Sequence, residues 1–261
     1  MDNCTIGIFA CFLALALAGV TNADEVDPGE FLRELNEKYY TNVGGGVTDF
    51  SVEVRDDRLA MYPEIGNAKV VARFYWKPAR GLKILLEGLP DTAEDRAGEI
   101  RSYLEDQWLK HVLIRPYSEE FRNYQLSVDS TGGKFVVVAT AVGTFNESNA
   151  ERMEVVFGRG LAPEKRETAI HGGGTIEELY GTTVKDEKVF VKEIRQKFRG
   201  VPDPATGQPG DFDMTVRFEY GQVGEYYFPT RIAASAQGRE MAVTFENYKV
   251  NEGFDDAIYD R

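Results

Sequence analysis

Met214-Thr-Val-Arg-Phe-Glu-Tyr220 alternates between apolar and polar residues, as the two faces of a β-strand do. Charged residues such as Arg217 and Glu219 share one face of this segment. The same period of two continues in the next two segments, Tyr226–Ser235 and Met241–Lys249. Such alternation is typical of an antiparallel sheet with one apolar face and one solvent-exposed face. The three segments therefore predict three antiparallel strands whose apolar side has to be covered.

The same pattern predicts further strands upstream. Phe50–Val54 alternates in the same way, and Lys69–Lys77 is expected to end at Pro78 and to pair with Leu82–Leu86 as a hairpin. More strands are predicted at Arg122–Asp129, Lys134–Val142 and Arg152–Gly158, whereas Asp186–Phe198 fits either a helix or a strand and Pro202–Gly210 is predicted to be a loop.

Two amphipathic helices accompany these strands. The first begins at Asp27-Pro-Gly-Glu30, where an acidic N-cap precedes a proline, and it continues to Tyr39. The second is predicted over Thr92–Val112, with an apolar stripe that includes Leu104 and Trp108. The predicted fold class is mainly β with flanking α: a strongly curved antiparallel sheet, or incomplete β-barrel, covered by helices.

The N-terminus is typical of an exported protein. Ile6–Val20 is an apolar run that is followed by small residues, and we expect cleavage of a signal peptide after Ala23. The run is shorter than the roughly 20 residues that span a bilayer. We therefore predict one domain over residues 24–261, without a transmembrane span, located in the periplasm or secreted.

Composition excludes several classes of function. Cys4 and Cys11 both lie within the predicted signal, so we expect a mature chain without a disulfide, a Cys nucleophile or a Cys-ligated metal. The net charge is −13 and the charges are interspersed, which argues against nucleic acid as a partner.

The sequence offers little catalytic chemistry. His111 and His171 lie in different predicted elements, and no metal-ligand spacing, nucleophile elbow or phosphate-binding loop is present. We interpret His171-Gly-Gly-Gly-Thr175 as a turn and Asn146-Glu-Ser148 as a chance glycosylation triplet. The acidic pairs Glu119-Glu120, Glu177-Glu178 and Asp255-Asp256 are interpreted as solvated charges rather than as glycosidase carboxylates. We predict no catalytic residue, no metal and no cofactor.

What remains is an apolar concavity with helical covers. The interior of a curved sheet of this size is either filled by its own side chains or holds a hydrophobic ligand. Strand alternation and the helix stripe select the residues predicted to line it, which are Phe50, Val52, Val54, Val70, Phe74, Trp76, Leu104, Trp108, Val216, Phe218, Val243 and Phe245. The Thr92–Val112 helix is expected to gate this cavity.

Four stretches resemble the LolA/LolB-like superfamily of envelope proteins. They are the exported N-terminus with its first helix, Thr48-Asp-Phe-Ser-Val-Glu-Val54, Ala72-Arg-Phe-Tyr-Trp-Lys-Pro78 leading to Leu86-Glu-Gly-Leu-Pro90, and Tyr227-Phe-Pro-Thr-Arg-Ile232 through Phe245-Glu-Asn-Tyr-Lys-Val-Asn251 to Ala257-Ile-Tyr259. The resemblance implies an incomplete β-barrel with a helical lid that carries lipid or lipoprotein acyl chains. The middle region, 118–200, lies outside these stretches.

Alternative functions stay open at this point. The favoured hypothesis is an exported binder or carrier of lipid or lipoprotein acyl chains without catalysis. The second is a lipid-sensing or structural module of the same fold that engages an envelope protein partner. An outer-membrane barrel is disfavoured because charged residues such as Arg73 and Arg217 alternate along the strands. A secreted hydrolase is the residual alternative.

Overall fold

One antiparallel β-sheet makes up most of the structure. The computed structural model describes residues 24–43, 45–62, 65, 68–143, 150–202 and 209–260. The predicted signal peptide and the triplet Asn146-Glu-Ser148 lie outside the described residues.

The sheet has thirteen strands in the order β1-β5-β6-β7-β8-β9-β10-β11-β12-β13-β2-β3-β4, and each neighbouring pair is antiparallel. Within the described residues β1 and β4 are the two edges, so the sheet is not closed. The strands are β1 Asp24–Glu25, β2 Phe50–Asp56, β3 Val71–Lys77, β4 Gly81–Glu87, β5 Tyr124–Thr131, β6 Lys134–Ala141, β7 Ala150–Phe157, β8 Pro163–Ile170, β9 Thr175–Lys185, β10 Lys188–Pro202, β11 Pro209–Val223, β12 Tyr226–Ala236 and β13 Arg239–Val250.

The helices are short. They are α1 Pro28–Lys38, α2 Ala97–Leu104, α3 Lys110–Val112 and α4 Tyr117–Glu120, with 3₁₀ turns at Asp57–Met61, Asp91–Arg96 and Asp256–Ile258. Helix α1 begins as its sequence predicts: the Asp27 side chain accepts a 2.7 Å hydrogen bond from the backbone N–H of Glu30, and Pro28 follows the cap. Phe31 and Leu35 are the buried residues of this helix.

The predicted fold class is confirmed as mainly β and antiparallel. The predicted strands near the C-terminus correspond to β11, β12 and β13, each longer than predicted. Residues 188–198 of the ambiguous segment belong to β10, and its first two residues, Asp186 and Glu187, form the preceding tight turn with positive φ angles of 48° and 61°. Residues at both ends of the predicted 202–210 loop are strand, since β10 ends at Pro202 and β11 begins at Pro209.

The helix predicted over 92–112 is confirmed as helical structure over residues 91–112, but it is not one regular α-helix. A 3₁₀ turn precedes α2, and a π-helical turn, Glu105–Leu109, separates α2 from α3. The π-turn adds one residue to a helical turn, and Trp108 and the adjacent Leu109 within it are both buried. Residues 91–112 are called the helical segment below.

The predictions missed β8 and β9 altogether. These strands form a hairpin around Gly172–Gly174, with Gly173 N–H donating to Ile170 O at 3.0 Å. The predicted turn at 171–175 is therefore confirmed, but its two flanking strands were not recognised.

Two clusters of buried apolar side chains form the core. The larger one joins β2–β4 and β11–β13 with the helical segment, and the smaller one joins β5–β7 with α1 and α4. The largest fully buried side chains of the larger cluster include Phe50, Phe74 and Phe228, and those of the smaller cluster are Phe31 and Phe157.

The C-terminal tail is bonded to the start of β2. The Asn251 side chain accepts a 2.7 Å hydrogen bond from the backbone N–H of Thr48. The buried carboxylate of Asp49 accepts two 3.0 Å bonds, from the N–H groups of Glu252 and Gly253. Two of the stretches that carry the resemblance therefore contact each other directly.

Candidate functional site

A cavity of about 730 Å³ lies against strands β7 to β11. Its opposite wall comes from the end of α1 and from residues 105–124, which run from the π-turn to the first residue of β5. Consecutive strands of one sheet thus contribute the residues of one face, and a mostly helical stretch contributes the other. The volume falls in the roughly 300–1,000 Å³ range of small-molecule sites.

Apolar side chains line much of this cavity. From the sheet come residues of β7 to β11, and from the helical side come residues near α3: Met153, Ile170, Ile176, Val191, Ile194, Phe218, Leu109 and Leu113. The ring of His111 also lines the cavity and lies edge-on to Phe218, with ring centroids 5.3 Å apart. Contacts of this kind favour an aliphatic or aromatic group over a strongly hydrated one.

A row of three polar side chains crosses the sheet face of the cavity. Arg166 on β8 is directly opposite Glu178 on β9, and Glu178 is directly opposite Gln196 on β10. Residues directly opposite in antiparallel strands project from the same face and contact each other. The register therefore brings together three residues that the sequence separates widely.

Glu178 is the fixed centre of this row. Its Oε1 accepts a 2.6 Å hydrogen bond from Gln196 Nε2, and its Oε2 accepts a 2.7 Å bond from the hydroxyl of Tyr180. Arg166 Nη1 lies 3.6 Å from the same Oε2. Only 11% of the Glu178 side chain is exposed. The interpretation of the pair Glu177-Glu178 as solvated charges is wrong for Glu178, because its inward position on β9 places it in the cavity wall.

Arg166 is a buried cation. Its side chain is 16% exposed, and its Nη2 pairs closely with Oε1 of Glu120 on α4. Burial alone would lower the pKa of the Arg166 guanidinium, but Glu120, Tyr180 and Glu178 raise it well above the ordinary value. The side chain therefore stays charged, and it has to be neutralised within the cavity.

Two polar atoms of the row have no partner among the described residues. They are Arg166 Nε, a donor, and Gln196 Oε1, an acceptor, and both are buried. A buried polar atom without a hydrogen bond carries a free-energy cost of about 1–3 kcal/mol. A bound molecule with complementary polar atoms would remove this cost.

Tyrosine hydroxyls surround the polar row. Burial raises the pKa of Tyr39, Tyr117, Tyr180 and Tyr220 above the ordinary value. All four line the cavity, and they remain neutral at physiological pH. Their hydroxyls therefore act as hydrogen-bonding groups rather than as phenolate bases. Together with Arg166 and Glu178, they suit the binding of a polar group.

A second pocket of about 860 Å³ lies on the far side of Tyr39. Its wall includes Tyr40, Phe190 and Tyr227, whose rings pack on one another at centroid distances of 4.5–5.8 Å. Lys185 Nζ lies 4.1 Å from the centroid of the Tyr227 ring.

The structure brings the twelve predicted lining residues together, in the larger core cluster. Eleven of them are buried there, and Val70 packs against the cluster while partly buried. Of the twelve, Phe218 also lines the 730 Å³ cavity, and the other eleven do not. The rest of that wall comes mainly from β7–β10 and from residues 105–124. The residues that sequence reasoning missed are Arg166, Glu178 and Gln196. The glycine-rich turn at residues 171–175 was the available signal for the β8–β9 hairpin, which carries Arg166 and Glu178.

Neither a protein-family model nor a curated protein matches the chain. Among the described residues, none of the helices combines the length and apolar character needed to cross a membrane. The same part of the chain contains no cluster of three or more His, Cys, Asp or Glu side chains arranged to hold a metal ion.

Proposed function

We propose that the chain is an exported envelope protein that binds or carries a hydrophobic ligand, such as a lipid or the acyl chains of a lipoprotein, without catalysis. The observation that supports this best is the 730 Å³ cavity between β7–β11 and residues 105–124, with apolar side chains from both walls. Burial of an aliphatic chain there contributes about 0.8 kcal/mol per methylene before ordering costs.

The proposal includes the finer architecture that the resemblance implies. The sheet acts as an incomplete, strongly curved barrel, with residues 24–261 forming one LolA/LolB-like domain after removal of the signal. Register shifts in β7, β10, β11 and β13 support curvature, because bulges bend strands and increase twist. In this proposal residues 105–124 form the helical cover of the cavity, in place of the 92–112 gate that the sequence predicts.

The core cluster restricts where the ligand lies. Phe50, Phe74 and Val243 are at most 1% exposed and pack against other side chains. The ligand therefore occupies the space lined by β7–β11, and eleven of the twelve predicted residues lie outside the wall of that space. Their role as direct ligand contacts stays a prediction, with Phe218 the one best placed for it.

A matched pair of variants on β9 tests the location. Ile176 lines the cavity, whereas Val184 on the same strand is 68% exposed. We expect I176W to narrow the cavity and to weaken uptake of a fluorescent fatty acid, and V184W to bind it as the wild type does. Circular dichroism and thermal unfolding establish that both variants are folded. Wild-type uptake by a folded I176W would place the ligand elsewhere, and no uptake by the wild type would refute the proposed function.

A second candidate is a protein-interaction module of the same fold. It is favoured by β4, an edge strand in the described sheet, which carries the partly buried Leu82, Leu85 and Leu86. Edge strands present unpaired backbone groups that can add a partner strand. Recovery of a stable partner protein from envelope extract, lost on L85P substitution and without co-purifying lipid, would favour this candidate.

A further inference from the structure

Arg166 places a full charge in a cavity whose walls combine apolar and polar side chains. Its charged guanidinium lies inside the cavity and depends on carboxylates for neutralisation. A buried cation is tolerated only where an anion and hydrogen bonds compensate for lost hydration. The identity of its counter-ions therefore indicates what else could bind there.

The two counter-ions of Arg166 differ in how firmly they are held. Glu178 is 11% exposed and is fixed by Gln196 and Tyr180. The Glu120 side chain is 36% exposed and belongs to α4, a helix of four residues. Glu120 can therefore move into water at low cost, whereas Glu178 cannot.

The guanidinium is also incompletely bonded on the edge that Glu120 occupies. Nε and Nη2 form one edge of the planar group, which matches the two oxygens of a carboxylate. Glu120 pairs with Nη2, and Nε has no partner among the described residues. A ligand carboxylate or phosphate that approaches this edge side-on would bond both donors, whereas Glu120 bonds one of them.

The rest of the cavity suits an aliphatic tail. From Arg166 on β8, the cavity extends across β9 and β10 to Phe218 on β11, which is three strand spacings or roughly 14 Å. Ile176 and Ile194 lie along this path. A molecule with its head at Arg166 would place its chain against these apolar residues.

We propose that the cavity selects amphiphiles with an aliphatic chain and an anionic oxygen head, and that this head binds Arg166 in place of Glu120. The inference rests on the proposed function and adds the class of ligand. Glu120 acts as an internal counter-ion that occupies the head-group position until a ligand displaces it. The carboxylate of a fatty acid and the phosphate of a phospholipid share the required chemistry.

Competition against a bound fluorescent fatty acid tests the proposal with the full chain. The competitors are dodecanoate, its uncharged methyl ester and dodecyl phosphate. We expect dodecanoate to compete at least about tenfold better than the methyl ester, because charge-assisted hydrogen bonds to Arg166 favour the anion. A larger preference for dodecyl phosphate would identify a phosphate head as the source of the same chemistry.

Two carboxylate variants test the displacement. E120Q removes the competing charge and should strengthen dodecanoate binding several-fold while leaving the methyl ester unchanged. E167Q is the matched control, because Glu167 pairs with Lys165 at 3.4 Å on the opposite face of β8, outside the cavity wall, and its loss should leave both affinities unchanged. R166M should make the affinities for dodecanoate and its methyl ester equal. E120Q keeps the test valid if R166M fails to fold.

Equal competition by dodecanoate and its methyl ester in the wild type, or weaker dodecanoate binding by E120Q, would overturn the head-group inference while the proposed function stands. Absence of probe binding to the wild type would instead refute the proposed function itself.

Discussion

The indole Nε1 of Trp108 donates a 3.0 Å hydrogen bond to Oδ2 of Asp56, which joins the π-turn to the end of β2. The same oxygen accepts a 2.9 Å bond from the hydroxyl of Tyr103, and the Arg58 guanidinium pairs with the carboxylate at 2.9 Å. The Asp56 side chain is completely buried. These bonds anchor the helical segment to the sheet, and a gate made of this segment would have to break them.

Replacement of Asp56 should destabilise the fold strongly. D56N removes the charge that pairs with Arg58 and places an amide donor among donors from Tyr103 and Trp108. We expect a loss of about 3–5 kcal/mol in the free energy of unfolding, as for other broken buried ion pairs. Urea denaturation measures it as a lower midpoint at unchanged slope. D57N is the control, because Asp57 is exposed, and equal midpoints for the two variants would contradict this account.

A glycine pair near the β3–β4 hairpin should respond differently to the same substitution. Gly81 and Gly88 have similar φ angles of 73° and 76°. A Cβ at Gly88 would lie 2.7 Å from Lys69 O, whereas one at Gly81 would have no heavy atom of the described structure within 4 Å. We expect G81A to cost about 1 kcal/mol for the left-handed backbone and G88A to cost clearly more. Thermal unfolding of the two variants measures the difference, and equal losses would refute the clash.

The core and the cavity wall should differ in their response to truncation. Phe74 is 0% exposed within the larger cluster, so F74A should cost about 3–5 kcal/mol. Ile176 borders the cavity and is partly exposed, so I176A should cost less than about 2 kcal/mol. Chemical denaturation provides both values. A larger loss for I176A than for F74A would mean that this face of β9 is packed core.

Acid should weaken ion pairs on the solvent-facing side of the sheet. Hydrogen bonds from Lys197 and Lys165 lower the pKa of Glu177 from 4.5, and those from Arg195 and Arg217 do the same for Glu193. A folded-state pKa below the unfolded one means that this stability is complete above about pH 4.5 and is lost as the pH falls through the lowered value.

E177Q tests this pH dependence. Its deficit should be less than about 1 kcal/mol at pH 7, because the Glu177 side chain is 31% exposed. The deficit should disappear below the lowered pKa, where the wild-type carboxylate is protonated. Thermal unfolding between pH 7 and pH 3 measures both curves. A deficit of E177Q that grows as the pH falls would contradict the assignment.

Strands with one apolar face could be predicted from the sequence, and strands with two polar faces could not. In β11, Phe218 alternates with Arg217 and Glu219, so the period of two is visible. In β8, Arg166 and Thr168 project toward the cavity while Lys165 and Glu167 form exposed-side ion pairs, so both faces read as polar. The polar residues on the inward face of β8 therefore hid the strand from the sequence analysis, and the same residues contribute to the candidate site.

The polar row could not be derived from the sequence because it depends on strand register. Arg166, Glu178 and Gln196 become neighbours only when β8, β9 and β10 pair with the observed offsets. A shift of one residue would turn Glu178 to the opposite face of the sheet. The buried role of Asp56 was missed for a related reason, since its partners Tyr103 and Trp108 are distant in sequence.

Native mass spectrometry of the chain, purified without detergent from the envelope fraction of the cells that produce it, shows whether the cavity holds an anionic amphiphile. We expect a discrete added mass that solvent extracts as an acyl lipid with an anionic head. We also expect less of this added mass on I176W than on V184W. A ligand-free mass for the wild type, together with no uptake of fatty acid or lipopeptide by the folded protein, would contradict the account.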